Sequence, residues 1–598
     1  PLFLLIRKRT LFSLFTLTLN NSSQFNMSNL VFLGRSNAVP RSFLQFKETQ
    51  KRREFEFRQK LIKKAIYKFC SPELARQAIH GFRRSAGGPQ DIEVDFKRTN
   101  RNFHPVKRDY HYNRALRVVE KLFRPSRTLY PIAYPDLRYY PWTLSVSAEA
   151  PYSIKPEYQH LLRQKQAEGI NSDSRTSFHN LYNEIFSDNR ILVHDIKDKY
   201  PQFWNINTNT PKPYYFTTLH ARSHLVAEDE PDKLRAVFGL PKLFLQVENM
   251  FIWNLQKEYL NNVNSPMLWG FETMKGGWRK LFNRSSHKRY NSVLSIDWSG
   301  FDRRALHEII DDVHQIWRSW FDFSRYEPTI FYPNGKTDPQ RIENLWYWMT
   351  DLVKHYPVLT PTNKMYIWKH NGIASGFMQT QLLDSFVNSI MILTCLSATG
   401  INIESDNFQL FVQGDDSLCL FPEQYYTIYG QKYLDIIASE ARTRFDAKLS
   451  TKKSRFTPSL TGQTVLHYDV NVNGEATRPA ADLLAHLLYP EHPQTLSATA
   501  SASIGIAQAS MGSSKEVYRV CEDVFKFITE QLGTKLKYST RLYTERERLN
   551  LPPLPKYFPT FDEIWSQNYD LSERTYSECQ RTWPTDSVSS GGFYFLLK

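Results

Sequence analysis

The 598 residues carry 76 Lys and Arg against 60 Asp and Glu, a formal net charge of +16, with 41% apolar and 14% aromatic residues. That composition excludes disorder throughout and, at this length, a single ordinary core; it calls for several packed subdomains. The positive surplus suits a polyanionic partner, most often nucleic acid, although solubility alone could account for it. Five scattered cysteines (Cys70, Cys395, Cys419, Cys521 and Cys579) form no CxxC pair, which argues against a disulfide framework or a zinc site. HExxH, Walker A and GxGxxG motifs are absent from the sequence.

In chain order, PLFLLIRKRTLFSLFTLTL is split by Arg7, Lys8 and Arg9, and neither half approaches the roughly 18 residues a membrane span requires. Met27 is the first methionine, and residues 1–26 read as a translated leader outside the fold. KETQKRREFEFRQKLIKKAIYKF predicts a helix with a mostly charged surface. FKRTNRNFHPVKRDYHYNRALRVVEKLFRP interleaves cations with rings, as a single-strand channel would, or presents a solvated helical face. Residues 128–157 read as an extended Tyr- and Pro-rich connection, and 158–290 as helices alternating with turns. From 291, short strand-like runs (SVLSI, FQLFV, SLCLF) alternate with helices, which predicts an α+β core. LSATASASIGIAQASMG and VYRVCEDVFKFITEQL predict a mostly helical C-terminal part.

The chemistry concentrates in four places. FVQGDDS puts Asp415 and Asp416 side by side between apolar runs, a repulsive pairing that asks for solvent, a basic side chain or metal ions. SVLSIDWSGFD ends a strand-like run at Asp297 and puts Asp302 five positions later. Oxygen ligands of this type suit Mg²⁺, and two such ions suit phosphoryl or nucleotidyl transfer. In ASGFMQTQLLDSFVNSIMILTC, Ser375 and Gly376 read as a flexible loop before a helix. Thr380, Asp384 and Asn388 then share one helical face, able to meet ribose hydroxyls or simply water. In PDKLRAVFGLPKLF, Lys233 and Arg235 project to one side of an extended segment and could clamp a triphosphate.

The ordered set KLRAVFG, DWSGFD, SGFMQT…N and GDD resembles motifs F, A, B and C of viral RNA-dependent RNA polymerases. SGFMQTQLLDSFVNSI and VQGDDSL, with LLAHLLYPE and GIAQASMG, are similar to the partitivirus group of double-stranded-RNA viruses. The resemblance runs from about Lys233 to Gly512. It implies a right-hand fold of palm, fingers and thumb, with the palm built on an antiparallel sheet. It divides the chain into an N-terminal region with fingers (27–230), fingers with motif F (231–290), a palm with interleaved fingers (291–455), and a palm edge with helical thumb (456–598). Asp297 and Asp415, supported by Asp416, would hold two Mg²⁺ ions, with Mn²⁺ able to substitute. Asp302, Thr380 and Asn388 would recognise the ribose, Ser375 and Gly376 would form the motif B loop, and Lys233 and Arg235 would bind the triphosphate. Lys453, or the adjacent Lys452, would be the motif D general acid. The implied partners are RNA template and product, NTPs and a viral capsid protein, with no membrane, inside the virion and in host cytoplasm. Where some relatives carry proline after motif A, this chain has DRRAL.

A reverse transcriptase shares the paired acids, but ribose selection by Asp302 and Asn388 and the lack of an RNase H segment argue against it. A basic RNA-binding capsid component would explain the charge but not the ordered motifs. His307, His370 and His467 are expected to be structural or surface residues, Trp298 a packing residue, and Cys419 a small core residue.

Overall fold

The computed structural model describes residues 28–36, 50–536 and 557–570, apart from positions 141, 261–263, 288, 330 and 493; the expected leader, residues 1–26, lies outside the described residues. The described chain opens with β1 (Leu30–Arg35), α1 (Gln50–Phe69) and α2 (Pro72–His80). Ser71 starts α2 by accepting the Leu74 amide at 3.2 Å. Pro72 follows at a position where a missing N–H costs no helical bond.

Further along come β2 (Thr217–Ser223) and β3 (Leu234–Gly239), antiparallel from Thr218↔Gly239 to Ser223↔Leu234. Strands in this region correct the expectation of helices and turns over 158–290. TTLHARS mixes Thr, His, Arg and Ser, and its burial fades along the strand, so its apolar alternation is weak. The long helix α3 (Lys242–Leu260), strand β4 (Ser292–Ser295), β5 (Val358–Leu359) and β6 (Lys364–Trp368) follow. One five-stranded sheet has the order β1-β6-β5-β2-β3, with only β5 and β2 parallel.

The second sheet carries the acids. Helix α4 (Thr380–Ala398) leads to the hairpin β7 (Gln409–Gln413) and β8 (Asp416–Phe421); α5 (Tyr433–Phe445) then leads to β9 (Arg455–Thr457). The order is β7-β8-β4-β9, antiparallel throughout. Its side chains alternate between two cores: Leu294, Cys419 and Phe421 face one, while Val293, Leu418 and Leu420 face the other. Burial on both faces explains why these strands read as continuous apolar runs. Cys419 is a small core residue, as expected. Among the described residues α4 is the one helix long and apolar enough to cross a bilayer, but 89% of its apolar window is buried inside the protein.

At the C-terminal end, α6 (Ala480–Leu488), α7 (Leu496–Ala509) and α8 (Lys515–Lys526) form a helical unit. Val517, Val520, Cys521 and Val524 repeat at helical spacing and are buried. The N-terminal helices join this core: Leu61, Ile62, Ala65 and Ile66 of α1 and Ala75, Ala78 and Ile79 of α2 pack against it. Arg58 is the polar centre of that contact and is 0% exposed. It donates to Thr499 Oγ1 at 2.7 Å and to the carbonyls of Leu487 and Leu488. Truncation by Arg58→Ala strands those acceptors in a dry interface. The expected cost is about 3 kcal/mol, measurable as a lower denaturant midpoint that Arg58→Lys only partly restores.

Candidate active site

The hairpin register closes at Gln413↔Asp416, so Gly414 and Asp415 form its two-residue turn. Gly414 has φ 62°, a left-handed conformation that glycine adopts without steric cost. The turn is gripped from below by α4. Ser385 Oγ accepts the Gly414 amide at 2.8 Å, and Asn388 Nδ2 donates to the Gly414 carbonyl at 3.0 Å. Asn388 Oδ1 accepts from the Trp298 indole at 2.8 Å. Asn388 is 0% exposed, so its amide ties the two acid-bearing segments together inside the core.

Asp297 follows β4 on the neighbouring strand. Cys419↔Leu294 sets the register between β8 and β4, and the Ile296 amide donates to Ser417 Oγ at 3.4 Å. Asp297 and Asp416 therefore leave adjacent strands at the same end. On its other side, the Asp297 amide donates to Ser454 Oγ at 3.0 Å, and its carbonyl accepts the Ser450 amide at 2.9 Å. The turn holding Lys452 and Lys453 thus wraps the Asp297 backbone. Asp302 lies in the short helical turn Phe301–Arg304 that follows, and its carbonyl accepts the Ile373 amide at 3.0 Å, tying this segment to the loop before α4.

The carboxylates act on one another electrostatically. Asp416 is pushed up to about 7 by burial, then by the charges of Asp415 and Asp297. Asp302 is pushed up to about 6 by burial and by Asp415, against the pull of Arg235 and Arg303. Burial also raises Asp415, opposed by a backbone hydrogen bond and Arg235. Water reaches Asp415 at the turn tip, while the surrounding cleft walls still limit its hydration. Asp384 is held well above the usual carboxylate range by burial, then by Asp302 and Asp415. Its Oδ1 is buried without a hydrogen-bond partner. The polar stripe on α4 is therefore a buried one, not a wet face.

Cations face this cluster. Lys233 immediately precedes β3 and Arg235 lies on it, both exposed. Partial desolvation of the ammonium by the cleft walls, then the charges of Arg235 and Lys453, lower the Lys233 pKa, while Asp297 opposes them. Thr380 Oγ1 donates to the Ala374 carbonyl at 2.7 Å and pins the loop that carries Ser375 and Gly376. Ser375 is exposed. A Cβ on Gly376 would come within 2.0 Å of the Phe238 carbonyl of β3, and Gly376 does not occupy the left-handed region. Its glycine is required for close approach between loop and strand, not for an unusual backbone angle.

Residues that the sequence reading left without a role support this loop. Glu248 on α3 accepts the Met378 amide at 3.0 Å and Gln379 Nε2 at 2.7 Å. Gln379 Oε1 meets His314 Nε2 at 2.7 Å. These groups are far from the motifs in sequence, and only their polarity within an apolar helical pattern could have flagged them. His307 is buried against the Gly372 carbonyl at 3.0 Å, and His370 meets the Arg101 carbonyl at 3.1 Å. Trp298 packs in the core as expected and also carries the Asn388 bond.

A family model of viral RNA-dependent RNA polymerases matches residues 142–460, more than half of the chain. The chain belongs to this family. The RNA-directed RNA polymerase of White clover cryptic virus 1 is 30% identical over 561 residues, covering 84% of this chain and 88% of the relative. That of Atkinsonella hypoxylon virus is 25% identical over 469 residues, covering 72% and 69%. Among solved structures, a Sicinivirus 3Dpol RNA-dependent RNA polymerase aligns with a TM-score of 0.52 at 12% identity, covering 78% of this chain and 92% of that one. This last likeness shows the right-hand fold. The family resemblance is borne out, and the polymerase works on RNA and NTPs, with divalent metal ions general to its family.

Two outcomes follow for the polymerase. Gly376→Ala forces β3 and the loop apart, so nucleotide incorporation should fall by more than about tenfold, while far-ultraviolet dichroism stays native. Burial pushes Glu248 up to about 8, so in the folded state it stays protonated where the unfolded chain ionises. Its contribution to stability is full below the ordinary Glu pKa and declines as pH rises toward 8. The stability of Glu248→Gln relative to wild type should therefore rise as pH goes from about 5 to about 8, read as the difference in melting temperature across that range.

Proposed function

We propose that this polymerase replicates and transcribes a double-stranded RNA viral genome by nucleotidyl transfer at Asp297 and Asp415. The observation that carries the reading is the Asn388 link, which holds the Asp415–Asp416 turn and the Asp297 segment together opposite Lys233 and Arg235. Among the described residues no three His, Cys, Asp or Glu side chains form a ready metal cage. Mg²⁺ binds through one or two carboxylates plus phosphates and water and needs no such cage. The Asp297 and Asp415 carboxylates, which act on one another electrostatically, supply the negative charge such an ion needs. Two Mg²⁺ ions, replaceable by Mn²⁺, would be held by Asp297 and Asp415 with Asp416 in support, and would stabilise the attacking and leaving oxygens.

Lys233 and Arg235 orient the triphosphate as point charge and planar fork respectively. Lys453 acts electrostatically on Lys233, which favours it over Lys452 as the proton donor to pyrophosphate. Asp302 reads the ribose hydroxyls. Because the Asn388 amide is occupied by Gly414 and Trp298, we assign its partner on α4 as Asp384, with Asn388 positioning the turn. Thr380 acts through the Ser375–Gly376 loop it pins. A viral capsid protein as partner, and work inside the virion and in host cytoplasm, complete the reading.

The test is incorporation by purified protein on single- and double-stranded RNA with Mg²⁺ and NTPs. Asp415→Ala should lower the rate by a factor on the order of 10² to 10³ or more. Unchanged incorporation would reject the site, and preference for dNTPs would favour a reverse transcriptase.

A further inference from the structure

Outside the catalytic cleft, the Asn100–His104 segment, Ser28 and Asp446 line a cavity of about 520 Å³. That volume falls within the range of small-molecule sites. Arg101 and Asp446 pair within its lining, and further arginines stand just beyond it. Arg101 Nε donates to Asp446 Oδ2 at 3.0 Å, and Arg304 donates to the Asp446 carbonyl at 2.6 Å. Arg304 also feels the charges of Arg101, Arg303 and Arg442, after its own burial. Arg303 has its own carboxylate, Asp95, at 2.8 Å. The exposed Arg442, one helical turn before Asp446, and Arg101 both act on Arg304, so three guanidinium groups neighbour the single carboxylate of Asp446. Guanidinium groups in that surplus suit a phosphate.

The same cavity has a flat apolar surface. Phe103 is 49% exposed, although a free phenylalanine ring at a surface gains nothing from water. Its ring is held by His370, edge to face at 5.4 Å and 82°, and His370 is anchored to the Arg101 carbonyl. A ring kept exposed and fixed is a stacking platform for a base. Asn102 is exposed beside it and offers both donors and an acceptor to a base edge.

We infer that this cavity is a second nucleotide site, which takes a nucleoside 5′-phosphate with its phosphate at Arg101 and Arg442 and its base on Phe103. Its ligand is either a free mononucleotide or the 5′ end of an RNA strand. The site borders the machinery without belonging to it. Arg304 lies two residues after Asp302, and Asp446 begins the segment whose Lys448 carbonyl accepts the Ser299 amide at 2.8 Å.

The experiment is photolabelling of the full chain with 8-azido-GMP, followed by peptide mapping. Label is expected on the peptide containing Phe103, and it should persist in Asp415→Ala, which separates this site from the catalytic reading. The pair Phe103→Leu with Arg442→Ala should cut labelling about tenfold while RNA synthesis at saturating NTP stays within about twofold, showing that the fold is intact. Displacement by GMP identifies a free-nucleotide site. Displacement only by a 5′-phosphorylated RNA trinucleotide, and not by its 5′-hydroxyl form, identifies a strand-end site. Label confined to cleft peptides, labelling unchanged in the double variant, or displacement by inorganic phosphate as readily as by GMP would overturn the inference.

Discussion

Five carboxyl groups drawn toward one cleft impose the constraint around which this protein is arranged. Burial raises the proton affinity of Asp302, Asp384, Asp415 and Asp416, and neighbouring carboxylates, the Asp297 charge among them, raise it further. Such a cluster would push its own strands apart unless they were held by something other than the acids. The backbone around each acid is accordingly tied down by uncharged groups: Ser385 and Asn388 on the turn, and Ser450 and Ser454 on Asp297. Arg235 relieves part of the repulsion at Asp302 and Asp415.

Helix α4 connects the rest. It is buried nearly all round, so its polar side chains call for partners inside the protein, and Asp384 Oδ1 stands out by lacking one. Thr380 finds the loop carbonyl, Ser385 and Asn388 find the turn, and Gln379 just before the helix finds Glu248 and His314. One helix therefore positions the Gly414–Asp415 turn along its length and the Ser375–Gly376 loop at its start. The close approach of Gly376 to Phe238 then couples that loop to the strand carrying Arg235.

Much of this was legible in the chain. The GDD turn, the acid after SVLSI and the helix after SGF are local patterns, and local patterns follow from residue type and spacing. The strands over 217–239 were less visible, because polar residues fill positions where alternation would have shown. The sharing of a core between α1 and the C-terminal helices was not visible at all, since it joins segments more than 400 residues apart.

By itself the sequence determined the α+β class, the order of the acidic and basic motifs, and through them the polymerase family. Each of these depends on side-chain chemistry at short spacing. Only the tertiary structure decided which polar group on α4 is free. Asn388 and Asp384 stand four residues apart on one face and look equivalent on paper. The packing of Trp298 and the Gly414 turn against that face occupies the amide and leaves the carboxyl oxygen unpartnered, because hydrogen-bond partners are set by what packs across a helix and not by the helix itself.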